Sequence, residues 1–249
     1  MAESLLERVQ TQNTPAETLR GQLLRNRAHH AALRADPGLN GRLRAIRLWQ
    51  CERLCRSHAD LLAEPGSARA VRFLIDELYG GQDFRARAAH VEKAFPIMVR
   101  FLPKRVLKIA ALAMQLYVLT KDLDRRLADT LFLRLDAADL NDNLVAEGYR
   151  ITADYRRRMQ QIDLLRELAR LLTKYTNSAV IGPVVRLAKV PARLLGLGEL
   201  QRFLAHGFAA FQAGANIDFI KRMADREVHI LDRIHADDPA PFSLPTPYY

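Results

Sequence analysis

Cysteine is nearly absent from this chain of 249 residues, which has only Cys51 and Cys55. They fall four positions apart on a predicted helix, where both leave the same face with poor geometry for a bridge. A disulfide framework is excluded, and a reducing, cytoplasmic setting is expected. Aromatic residues make up 7% of the chain. None of its basic runs is interleaved with the aromatic and glycine pattern of a known RNA-binding module, and zinc-finger spacing is missing. No apolar run approaches the ~18 residues of a membrane span, and the start MAESLLERVQ has acids but no apolar signal core. Also missing are a Walker A sequence, a Gly-x-Gly-x-x-Gly after a strand, a Gly-x-Ser-x-Gly elbow and a His-Glu-x-x-His pair. No repeat and no low-complexity linker divides the chain.

What is present is the composition of a globular protein, 49% hydrophobic and enough for a sizeable core. The net charge is +10, from 38 basic and 28 acidic residues. Lysine accounts for 7 of the basic residues, so arginine dominates. The cations gather modestly. Arg20, Arg25, Arg27 and Arg34 with His29 and His30 form one group, Arg42, Arg44 and Arg47 continue it, and Arg156, Arg157 and Arg158 form another. Solvated helix faces account for such groups. A nucleic-acid or anionic-surface binder would instead need one continuous basic face including Arg20, Arg25, Arg42 and Arg47, with salt-sensitive affinity.

Alternating strand patterns are absent and helical periodicity dominates, which predicts an all-α, single-domain bundle of about eight to ten helices over residues 1–236. Residues 1–35 read as a peripheral helical segment, with Thr14 as cap and Pro15 in the first turn. Helices are expected from Leu39 to Ala63, from Ser67 to Tyr79, from Asp83 with an interruption at Pro96, from Pro103 to Leu135 and from Leu140 to Tyr175. A final helical pattern runs from Glu199 to Ile234. The proline-rich end, residues 237–249, is expected to be a flexible tail. The segment Val180 to Leu197 sets Arg186, Lys189 and Arg193 among apolar residues, which allows a membrane-surface helix, but its prolines and glycines favour a buried, kinked connector.

The corner FLIDELYGGQDF crowds Asp76, Glu77, Tyr79, Asp83, His90 and Glu92 around Gly80 and Gly81. Asp76, Tyr79 and Asp83 are candidates for ligand binding, because two glycines would let a ligand approach the backbone. The simpler reading makes Gly80 a helix stop and Asp83 the next cap. Together with KDLDRRLADTL and GFAAFQAGANIDFIKRMADREVHIL, this corner resembles an uncharacterised all-helical bacterial family with an FFL-x-DLYG-x-x-DF motif. The resemblance spans the chain from about Leu39 onward, with Glu77 and Gly81 fitting loosely. It implies the fold and no activity.

Three ionisable residues fall within apolar helical stripes, where each needs a partner. His58 sits among Cys51, Leu54, Cys55, Leu61 and Leu62, Asp124 among Leu116, Thr120, Leu127 and Leu131, and Glu227 among Ile220, Met223, Ile230 and Ile234. Pairing with arginine explains such acids most simply. The alternative is a di-iron-like oxidoreductase holding iron, manganese or zinc on His58, Asp124 and Glu227, with Asp76 and His90 as further ligands. It lacks a clean Glu-x-x-His; Asp225 with His229 and Asp232 with His235 come nearest. Cys51, Cys55 and His58 could offer soft ligands along one face, although core packing accounts for them. The function expected is non-catalytic binding or scaffolding of an unknown protein or small-molecule partner.

Overall fold

A computed structural model of the protein describes residues 14–79, 84–176, 205–207, 209–211 and 218–244, and of 77–79, 84–90 and 175–176 the backbone only. The described residues form an all-α bundle: α1 Pro15–Ala35, α2 Leu39–Ser57, α3 Ala59–Ala63, α4 Ala68–Tyr79, α5 Phe84–Phe101 and α6 Lys104–Ala128. A π-helical turn, Asp129–Arg134, extends α6, and α7 Asp142–Thr152, α8 Tyr155–Thr176 and α9 Asp218–His235 complete the set. No strand occurs among the described residues.

The 25-residue α6 is the central helix. It packs against α1, α2, α7 and α8, while α9 lies on α8 and α7. Its length explains its place, since ~1.5 Å of rise per residue carries it across a small domain. Leu107, Met114, Leu116, Leu119, Leu123 and Leu127 are buried along it, with no glycine to weaken the run. The N-terminal helix is less peripheral than expected. Leu19 and Leu23 of α1 pack into a cluster with Ala111, Met114 and Val118 of α6. Thr14 caps α1 as expected, its Oγ1 accepting from the Glu17 N–H at 3.3 Å while Glu17 accepts from the Thr14 N–H at 2.7 Å.

Two expected helices are each broken once. The Leu39–Ala63 pattern divides at His58, whose backbone leaves the helical range at φ −124° and ψ 27°. The Leu140–Tyr175 pattern divides at Ala153, which takes a left-handed φ of 51°. Arg126 from α6 holds that second break, donating to Asp154 at 2.7 Å and to the Thr152 carbonyl at 3.2 Å. Pro96 lies inside α5, which continues through it to Phe101. Gly148 lets α7 approach closely: a Cβ there would stand 2.8 Å from Leu131 and 2.9 Å from Leu127.

The tail also departs from expectation as far as Leu244. Phe242 is buried, edge-on to Trp49 at 5.1 Å. Arg233 closes the turn before it, donating to Asp238 at 2.8 Å, to the Ala240 carbonyl at 2.9 Å and to the Ser243 carbonyl. The final helical pattern is seen as α9 from Asp218, and most of its predicted earlier part, like Val180 to Leu197, lies outside the described residues.

Candidate functional site

The break at His58 organises the most polar part of the interior. By ending α2 there, the chain points the imidazole fully inward, at 0% exposure, and starts α3 one residue later with Asp60 in its first turn. The freed Ser57 carbonyl accepts from Arg226 of α9 at 3.1 Å. The same guanidinium grips Asp60 with two bonds of 2.6 Å, a fork-to-fork geometry that holds the Asp60 carboxyl at about 2. One turn away, Arg222 donates to Glu64 at 2.9 Å and depresses its pKa as well.

Glu227 completes the row. Its Oε1 accepts from Arg53 of α2 and from His58 Nε2 at 3.0 Å. Burial works to raise this carboxyl, whose side chain is 18% exposed, but Arg53 and His58 outweigh burial and hold it at about 2. Arg53 also donates to Gln50 Oε1 at 3.0 Å, and Gln50 Nε2 donates to the Tyr149 hydroxyl at 2.7 Å. The face of Tyr149 carries the Arg158 guanidinium, 3.6 Å from the ring centroid. A polar chain therefore crosses the bundle from α8 through α7 and α2 to α9. The helices α2 and α9 are not among the closely packed pairs, and long side chains bridge them.

Asp124 stands apart from this row. Burial raises its pKa to about 7, with Arg158 and then Arg47 acting to lower it. It makes no ion pair within 4 Å among the described residues, in contrast to Glu227. The structure thus brings His58 and Glu227 together and gives Asp124 other neighbours. Among the described residues, no group of three or more His, Cys, Asp and Glu side chains is placed to hold a metal. Asp225 bonds Arg166 at 2.8 Å, Asp232 accepts from the Tyr155 hydroxyl at 2.7 Å, and His235 Nδ1 donates to the Leu231 carbonyl at 2.9 Å. Cys51 and Cys55 are free and half-buried, and burial, then Cys55, raises the Cys51 thiol.

Of the glycine corner, Asp76 is exposed at the end of α4, while the side chains of Glu77, Tyr79, Asp83 and His90 lie outside the described residues. The cations proposed for a continuous basic face divide. Arg20 and Arg25 are exposed, whereas Arg42 bonds Asp36 and half-buried Arg47 donates to the Leu43 carbonyl at 3.3 Å. An open pocket of about 460 Å³ runs along α8, lined by Tyr155, Arg156, Met159, Gln160, Asp163 and Leu164.

Sequence reasoning missed Arg53, Gln50, Asp60, Tyr149 and Arg226. The signal was available for two of them. Arg53 shares the buried stripe of Ile46, Trp49, Gln50 and Ser57, and Arg226 shares that of Phe219, Met223 and Ile230, so each is a cation at a core position of its helix.

A helical bundle in which Asp60, Glu64 and Glu227 are tied to arginines defines a structural class before it defines a chemistry. Within that class the chain belongs to the family described as domain of unknown function DUF8198, whose model matches residues 29–241. No curated protein and no solved structure matches it.

Proposed function

We propose that this protein is a non-catalytic helical binding or scaffold protein of the bacterial cytoplasm. One observation carries the reading: the Glu227 carboxylate, the acid best placed for metal chemistry, already accepts from both Arg53 and His58. A carboxylate held at about 2 by those two donors is a poor base, and its Oε1 is already engaged. Asp60 and Glu64 are committed to Arg226 and Arg222 in the same way. The interior charges then serve to fix helices, and recognition falls to the surface. The alternative, a metal-dependent oxidoreductase on His58, Asp124 and Glu227, would require a metal to compete with Arg53 and with the His58–Glu227 bond.

The test is the metal content and ultraviolet-visible spectrum of untagged protein purified without chelator. The reading predicts a colourless protein without stoichiometric iron, manganese or zinc. Stoichiometric metal that disappears in E227Q with the fold intact would replace it with the oxidoreductase.

A further inference from the structure

We propose that the corner between α5 and α6 docks on an anionic phospholipid surface. At this corner the fold exposes what folding alone would hide. Phe101 is 69% exposed, and Ile97 and Val99 are 42% exposed each. Ile97 and Phe101 are one turn apart and share a face of α5. The cations Arg100, Lys104 and Arg105 are exposed around them, with the Arg100 guanidinium 5.3 Å from the Phe101 ring centroid. None of the three makes an ion pair with a described residue, and between Glu92 and Asp122 the sequence has no acid. Glu92, on the same helix, bonds Arg27, and Glu167 of α8 bonds Lys108, one turn beyond Lys104.

Arg100 suits the negative end of the α5 dipole, but the rest of the arrangement does little for stability. Lys104 and Arg105 occupy the first turn of α6, where no acid stands and where the positive end of the helix dipole repels cations. An exposed phenylalanine gains nothing from water. Both features are favourable against an interface that is negative outside and apolar beneath. Anionic headgroups meet the three cations, and Phe101 with Ile97 enters the acyl boundary at shallow depth. Such a mode needs no span, and no helix among the described residues is long and apolar enough to cross a membrane. A bilayer suits this site, because exposed apolar side chains at the end of α5 stand directly beside three exposed cations.

The proposal rests on the reading of the chain as a binding protein and names its surface and partner. It is tested with the full chain by sedimentation with vesicles of phosphatidylcholine containing about 30% phosphatidylserine, at low and high salt. Binding is expected, weakening with salt and falling on pure phosphatidylcholine. Each cation contributes about fivefold, so R100Q/K104Q/R105Q should bind roughly 100-fold more weakly. F101S should bind about tenfold more weakly even at low salt. All four side chains are exposed, and circular dichroism confirms that the variants fold. No sedimentation, or equal sedimentation of wild type and variants, would overturn the proposal. Binding of a single-stranded oligonucleotide without vesicle binding, lost in the triple variant, would reassign the corner to nucleic acid. These outcomes leave the binding-protein reading standing, since that reading falls only with stoichiometric metal or turnover.

Discussion

Asp124 and Glu227 are both buried acids on long helices, yet their surroundings push them in opposite directions. Glu227 and Asp60 are held at about 2, below the ~4 of an unfolded carboxyl. Their contribution is present above about pH 4 and is lost as pH falls toward 2. Asp124 is raised to about 7 by burial. The native state therefore keeps its proton where the unfolded state has released it, and stability falls as pH rises from about 4 to 7. Urea unfolding of the wild type across this range should show a rise and then a decline. D124N should abolish the decline, a difference on the order of 1–3 kcal/mol at neutral pH. An unchanged decline in D124N would assign it to another group. At this scale the sequence was half legible. Stripe membership flagged His58, Asp124 and Glu227 as buried ionisable residues, and each is buried or nearly so. Which partner each would meet depended on residues far along the chain, more than a hundred positions for Arg53 and Glu227 and tens of positions for Asp124 with Arg158 and Arg47, and no local pattern encodes that.

Helices were legible wherever periodicity ran uninterrupted, as in α6, and illegible where tertiary contacts cut them. The break at Ala153 has no glycine or proline to announce it. It exists because Arg126 collects the Thr152 carbonyl and the Asp154 carboxylate at one point, which the chain reaches only by turning left-handed at Ala153. Alanine pays for that backbone through its Cβ. A153G should therefore raise stability by about 0.5–1 kcal/mol, read as a higher urea midpoint with an unchanged slope. A lower midpoint would mean that the entropy of glycine in the unfolded chain outweighs relief of the left-handed turn. The break at His58 likewise exists for a tertiary reason, the Arg226 bond to the Ser57 carbonyl.

At the scale of the whole molecule, α6 gathers the apolar helices while a row of side chains on α9 ties it to α2 and α3. Arg222, Arg226 and Glu227 meet Glu64, Asp60 and Arg53 in turn. The all-α class follows from composition and period, and the bundle confirms it. The ties do not follow from sequence, because a surplus of arginine offers every buried acid many partners. If the ties hold the bundle together, breaking one partner leaves a charge buried without its counterpart, which is costlier than removing both.

The most direct test is a double-mutant cycle in urea on R53M, E227Q and R53M/E227Q. Each single change is expected to destabilise the protein by about 3–5 kcal/mol, and the double change by clearly less than their sum, a coupling of at least ~1.5 kcal/mol. Single changes below about 1 kcal/mol that simply add would contradict the account, and would free Glu227 for a role other than holding α9 to α2.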